Sequence, residues 1–546
     1  MKKLLFYWLK ILVLAFIICL PIILPYFKSG FFPTHDGEWA VVRLGDMYRE
    51  IKDLQFPARF SGYLNFEYGY PLFNFAYPMP YYLGVIFVFL KLGFVNSVKF
   101  LFLLSAVLSF FSMFLLSESL WKNKWAGLIS GIFYIYVPYR IIDLYVRGSI
   151  GESLSFVLFP LILLGIKNIH DSKKPALAIL LTGILYGLLI MTHNIMAVLF
   201  GLLILFIAIV FLFKKEFKFL LNLFLSIIYS LCVSAFFWIP AIFEKNLILL
   251  SKIPIADRSL YFVNPAQLII ERWGYAPPTE INGFGYQIGF AQIAIFILVI
   301  AAAIFRYKTK DSKITLILAL AVFAFSFLLF KQSGFVWLHT PLLSEINYPW
   351  TILSILMLLI SLMAGYLTKL GKHFLIVSIV LCLVGAWLIF PHAKPQYSVN
   401  RGDEFYVTNQ ATTTSSNELM PLWVRKLPVQ KAENKVDVVS GTIENLSSNS
   451  KRISFSANLP SAQKVRINTI YYPGWEVFVD KRPSKIDYNN ENGIMTVDVG
   501  RGTHQILAKF TETPVRLLSD IISLASIISL VLYLIFVGKF KKIKFL

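Results

Sequence analysis

Apolar residues run unbroken along most of the chain in stretches of roughly 17 to 25 positions, each long enough to cross a hydrocarbon core of about 30 Å as a helix. The runs fall at about 4–26, 98–118, 125–139, 153–168, 176–192, 195–213, 218–240, 288–306, 313–331, 348–367, 373–391 and 515–537. They predict an all-α polytopic membrane portion of about 12 transmembrane helices, because a backbone in lipid must satisfy its own hydrogen bonds. One further apolar segment, "YPMPYYLGVIFVFLKLG" at 77–93, is short and opens with two prolines. A crossing there would send every later basic connector to the opposite side, so it reads as a re-entrant or interfacial helix.

The pattern changes character twice. After Asp36, the positions Val41, Leu44, Met47, Tyr48, Ile51 and Leu54 recur at helical spacing and predict an amphipathic helix over 37–54. Between 391 and 514 the period becomes two, as in "KRISFSANL", "KVRINTIYYPGWEVFVD" and "THQILAKF", with turn signals "NNENG" and "GRG" between runs. This predicts a small β-sandwich. The expected organisation is therefore a membrane domain over 1–390 with an outer loop at 28–92, a β-rich domain over 391–514, and a last span with a basic tail over 515–546.

Composition agrees: 57% hydrophobic and 15% charged residues in 546, with a mean hydropathy of +0.68, exclude an ordinary soluble chain. The net charge of +21 does not imply a nucleic-acid partner. Its lysines and arginines cluster in short connectors, "WKNKW", "KNIHDSKKP", "KKEFK", "RYKTKDSK", "TKLGKH" and the tail "KFKKIKF". The positive-inside rule places these, with "MKK" and both termini, on the cytoplasmic side of a plasma membrane. The outer side then receives 28–92, 140–152, 241–287, 332–347 and 391–514, and any chemistry faces outward. Cys19, Cys232 and Cys382 all sit in apolar runs, unsuited to a disulfide framework or a zinc site.

Candidate chemistry centres on "FFPTHDGEWAVVRLGDMYREIKD", residues 31–53, where Asp36-Gly37-Glu38 follows the first span with His35 beside it. Asp36 also precedes a helix, where Asp is a preferred cap. The layout, with "PARF" and an aromatic run after it, resembles the GT-C class of polytopic glycosyltransferases. "YVRGSIGESLSFVLFPLILLGI", "MTHNIMAV", "SAFFWIPAIFEK", "NYPW", "TSSNELMPLWV" and "YYPGWEVFVDKR" look like the bacterial membrane family labelled 6-pyruvoyl-tetrahydropterin synthase-related, and like the YfhO family. The pterin label implies no pterin chemistry in a polytopic chain. The triplet is Asp-Gly-Glu where Asp-x-Asp is the class pattern, and Thr351 follows "PW" where the family pattern has arginine.

The resemblance implies transfer of a sugar from a polyprenyl phosphate to an extracytoplasmic acceptor: a cell-envelope glycan, a lipid or a protein. Asp36 and Glu38 are the expected catalytic acids, with Asp36 taking the acceptor proton. Arg140, Arg147, Arg258 and Arg272 lie in predicted outer loops and offer bidentate phosphate contacts, Arg147 foremost because its turn brings Glu152 with it. Arg140 and Arg147 could equally pair with Asp143 and Glu152. His35, Arg59, His193, Asn194 and Glu345 complete the candidate substrate contacts, although a histidine at the 193–194 corner also suits a helix cap. His35, Asp36, Glu38 and His193 could bind a divalent cation, but no spacing such as HExxH marks a site, so no cofactor is assigned. The aromatics Tyr68, Tyr70, Phe73, Phe75, Tyr77, Tyr81 and Tyr82 fit either an interfacial belt or a lipid groove. Two other readings stay open, a transporter or flippase of lipid-linked solutes and a non-catalytic GT-C-like assembly factor. Ion-coupled carriers place charges mid-membrane, and these span centres are nearly free of them.

Overall fold

A computed structural model describes residues 2–540. The tail "KKIKFL" lies outside the described residues, so the basic end expected there is not addressed by the fold.

Eight helices among the described residues are long and apolar enough to cross a membrane, or up to ten if two bent pairs each count as one span. The expected count of about twelve is not confirmed. The run at 125–139 breaks at Pro138: Lys124–Ile135 and Pro138–Arg147 meet at 51°, since proline withholds the N–H that would continue the helix. The run at 218–240 likewise bends by 75° between Phe217–Val233 and Ala235–Phe243. Ala176–Thr192 and Phe290–Phe305 are shorter apolar helices of 17 and 16 residues, at the lower edge of the length that spans a hydrocarbon core. Met79–Phe89, in the segment read as re-entrant, has 11 residues and reaches about 16 Å, half a hydrocarbon core.

The chain divides into two compact units. The first comprises Met1–Ala40, Val95–Cys232 and Ala256–Gly402. Its centre is Leu353–Leu367, every residue of which is buried, and its all-round apolar sequence is what a helix with no free face requires. Gly365 lets a neighbour approach: a Cβ there would lie 2.5 Å from Ser117 Oγ and 2.7 Å from the Trp121 ring. Trp121 then donates its indole N–H to the Leu362 carbonyl at 2.8 Å. The end of the first helix is tied to the 136–147 segment by Tyr136 donating to the Ile18 carbonyl at 2.7 Å and Tyr26 donating to the Leu144 carbonyl at 2.8 Å. This fixes where the chain leaves the helix towards Asp36.

The second unit comprises Val41–Phe94, Val233–Ile255 and Asp403–Leu546. The amphipathic helix forms over Gly37–Lys52. Tyr68, Tyr70, Phe73, Phe75 and Tyr81 are buried in the core of this unit, with Tyr70 and Arg43 both bonded to Thr413 at 3.0 Å. The alternating region folds as eight strands: β1 Val436–Asp437, β2 Thr442–Ser448, β3 Arg452–Leu459, β4 Gln463–Ile470, β5 Trp475–Val479, β6 Arg482–Ser484, β7 Ile494–Val499 and β8 Gly502–Phe510. They form two antiparallel sheets, ordered β1-β4-β7 and β2-β3-β8-β5-β6. Period-two patterning buries Ile453, Phe455 and Ala457 on β3 and Ile506, Ala508 and Phe510 on β8. The protein is thus a mostly helical membrane chain carrying a separate small β-sheet domain.

Candidate functional site

The loop after the first helix docks on a turn before a later one. The His35 N–H donates to the Val146 carbonyl at 2.9 Å and the Asp36 N–H to the Arg147 carbonyl at 2.8 Å. Residues Asp143–Arg147 form a π-helical turn ending at Gly148 with φ +62°, a wide geometry that recurs at functional sites. A Cβ on Gly148 would stand 2.1 Å from Thr34 Oγ1 and 2.9 Å from the Gly37 nitrogen. Only glycine both adopts this left-handed conformation cheaply and leaves room for the Asp36 loop. Gly148→Ala is therefore expected to lift the loop off the turn and to cost at least about 1–2 kcal/mol of stability, read as a lower thermal midpoint together with reduced turnover.

The helix after Asp36 does not use the Asp36 side chain as its cap. Thr34 Oγ1 accepts the Gly37 N–H at 2.9 Å, while the Asp36 carbonyl takes the Ala40 N–H at 3.1 Å. The Asp36 carboxylate is 43% exposed and stands 3.9 Å from Arg147 Nη2. Arg147 is itself held from three sides. Its Nη1 is paired with Glu152 Oε2, and its guanidinium lies 4.6 Å from the centre of the Trp350 ring. Glu152 is fully buried in the first turn of Ile150–Asp171 and accepts the Tyr139 hydroxyl on its other oxygen. Arg140 and Asp143, also fully buried, form a neighbouring pair at 3.6 Å in which Asp143 accepts from Ser153 and Arg140 donates to Ser105 at 2.8 Å.

Trp350 is one face of an aromatic wall, with ring centres of Phe284, Tyr348, Tyr139 and Tyr286 at 5.3, 5.7, 6.0 and 6.3 Å. Its own indole N–H is buried without a hydrogen-bond partner among the described residues. His35 Nε2 is 2.8 Å from the Tyr275 carbonyl, and Glu38 pairs with Arg401 at 3.3 Å.

His193 caps the helix after it by accepting the Met196 N–H on Nδ1 at 3.3 Å. Burial, reinforced by the positive charge of Arg147, pushes its imidazole down to about 3, so the ring is neutral near pH 7. An unfolded histidine titrates near 6.5. Between that value and about 3 the unfolded chain binds a proton that the folded one refuses, so His193 subtracts stability progressively as pH falls from about 6.5. His193→Gln is expected to flatten that acid limb in thermal melts.

The remaining candidates are engaged elsewhere. Asn194 is exposed and turns its oxygen onto its neighbour's N–H at 3.0 Å. Arg258 donates to the Ile346 carbonyl at 2.8 Å and to that of Ser344, pinning the loop that carries exposed Glu345. Arg272 donates to the carbonyls of Pro278, at 3.4 Å, and Ile281, at 2.8 Å. Arg59 belongs to the second unit, buried against Asp520 at 2.6 Å and Glu512 at 3.5 Å. No group of three or more His, Cys, Asp or Glu side chains among the described residues is placed to hold a metal ion, so the donor set considered for a cation does not assemble. Sequence reasoning missed Tyr139, Trp350 as a partner of Arg147, Arg401 as the partner of Glu38, and Thr34 as the cap.

Two solved structures of similar chains come from Archaeoglobus fulgidus. Its oligosaccharyltransferase in the apo form matches with a TM-score of 0.44 at 15% identity, over 76% of this chain and 61% of that one. The archaeal oligosaccharyltransferase AglB in complex with an inhibitory peptide and a dolichol-phosphate matches with a TM-score of 0.44 at 16% identity, over 77% and 61%. The chain thus spans about three fifths of the length of these proteins. No curated protein matches it. The model of the 6-pyruvoyl-tetrahydropterin synthase related domain, a membrane protein, matches residues 73–392, a stretch that holds Tyr139, Arg147, Glu152, His193 and Trp350 but begins after Asp36. With more than half of its length matched, the chain belongs to that family of membrane proteins.

Proposed function

We propose that the chain is a membrane glycosyltransferase that moves a sugar from a polyprenyl-phosphate donor to an extracytoplasmic hydroxyl acceptor, as its sequence resemblance to the GT-C class implies. The observation that carries this reading is the Asp36 carboxylate, relieved of helix capping by Thr34 and held 3.9 Å from Arg147, a partly buried arginine paired on its other side with Glu152. In the reaction, the acceptor oxygen bonds to the anomeric carbon as the bond from that carbon to the phosphate oxygen breaks. Asp36 takes the acceptor proton, and the departing phosphate gathers its charge beside Arg147, whose fork is set in advance by Glu152 and Trp350. Preset donors of this kind need no reorganisation when charge develops. The aromatic wall around Trp350 offers flat faces on which a sugar or an isoprenoid unit can stack.

The test uses purified protein in nanodiscs containing a polyprenyl-phosphate sugar and a mixture of hydroxyl acceptors. Acceptor-dependent release of polyprenyl phosphate is the expected result. Movement of intact lipid between leaflets of vesicles, with no cleavage, would replace the enzyme by the transporter reading.

A further inference from the structure

The helix Ile150–Asp171 carries Glu152 in its first turn, and its 22 residues put its other end about 33 Å away. At that far end lies a cavity of about 550 Å³, lined by Ser172, Lys215, Phe217, Lys218, Phe219 and Asn222 with His170 and Glu216. We infer that this cavity binds the phosphodiester headgroup of an anionic phospholipid, on the membrane face opposite to the Asp36 turn.

Four observations converge on that ligand. The acids at the cavity are already engaged: His170 lies 3.0 Å from both Asp171 and Glu216, and Lys167 pairs with Asp171 at 2.7 Å. Lys215 and Lys218, by contrast, are exposed and make no ion pair among the described residues. The first turn of Phe217–Val233 lines the cavity, so the positive end of a 17-residue helix faces the same space as the two ammonium groups. Finally, Phe213 and Phe217 are 83% and 63% exposed beside the lysines. A soluble phosphate has no use for such an apolar lip, whereas a phospholipid has acyl chains to lay on it. Basic pockets at the ends of membrane helices recognise anionic headgroups by this combination.

The experiment reconstitutes the full chain in vesicles of equal parts phosphatidylglycerol and phosphatidylcholine, extracts it in mild detergent, and counts retained lipids by native mass spectrometry. Wild type is expected to retain phosphatidylglycerol in preference to phosphatidylcholine, and Lys215→Asn/Lys218→Gln to lose about thirtyfold of that retention. Asparagine is chosen at 215 because the residue has φ +58°, which Asn tolerates. Lys218→Arg keeps the charge and should retain the lipid. Equal retention by wild type and the double variant would overturn the inference, as would equal retention of the two lipids by wild type. Displacement of phosphatidylglycerol by dissolved glycerol phosphate would overturn it too, in favour of a soluble ligand.

Discussion

Asp36→Asn is expected to lower turnover of a polyprenyl-phosphate sugar by about 10²- to 10⁴-fold, the usual worth of one positioned acid or base, while the thermal midpoint stays within a degree or two of wild type. The two halves of this expectation have separate physical grounds. Asparagine keeps the shape of the side chain but cannot accept the acceptor proton, so the proposed chemical step would lose its base. Stability is spared because the carboxylate is 43% exposed and its ion pair with Arg147, at 3.9 Å, is long; pairs of that kind contribute about 0–1 kcal/mol. The helix start is spared as well, since Thr34 and not Asp36 receives the Gly37 N–H. The complementary variant sharpens the contrast. Thr34→Ala should cost about 1 kcal/mol through the lost cap and leave the base in place. Wild-type turnover in purified Asp36→Asn would remove Asp36 from the mechanism.

The range of the forces involved decides which features a linear pattern discloses and which it withholds. Apolar runs and period-two alternation are local, and they mark the membrane helices and the strands from Val436 to Phe510 on their own. Breaks inside an apolar run are less visible: Pro138 is in plain view, but hydropathy is blind to whether a proline kinks a helix or ends it. Within the candidate site, Asp36 and Arg147 are readable because an acid triplet and a charged tight turn stand out against apolar neighbours. Their mutual approach is not readable. It depends on the Gly148 conformation and on backbone bonds between segments far apart in sequence. The same holds for Arg401, which reaches Glu38 from 363 residues away. Arg258 shows the opposite error: a loop arginine looks like a phosphate ligand in sequence, yet its donors go to the carbonyls of Ser344 and Ile346. Residue type alone does not tell a guanidinium that waits for a ligand from one that ties a loop.

Glu152→Gln is the second large effect, and it falls first on stability. Glu152 is 0% exposed and Arg147 only 13% exposed, so the substitution leaves a largely buried guanidinium facing a neutral amide and takes from the Tyr139 hydroxyl its charged acceptor. Removing one member of a buried pair costs about 3–5 kcal/mol, chiefly because the remaining charge is left uncompensated. The thermal midpoint should fall by several degrees, far more than for Asp36→Asn at the other end of the same arginine. Turnover should fall too, since a guanidinium no longer held by Glu152 can turn towards Asp36 and neutralise the base. A double variant separates the two consequences. Arg147→Met/Glu152→Gln removes both charges, and replacing a whole buried pair by neutral groups is often tolerated; it should regain most of the lost stability while staying inactive, because no cation then meets the departing phosphate. If Glu152→Gln melted at the wild-type temperature, the pair would not be what fixes Arg147, and the preset phosphate contact would have to be sought in another residue.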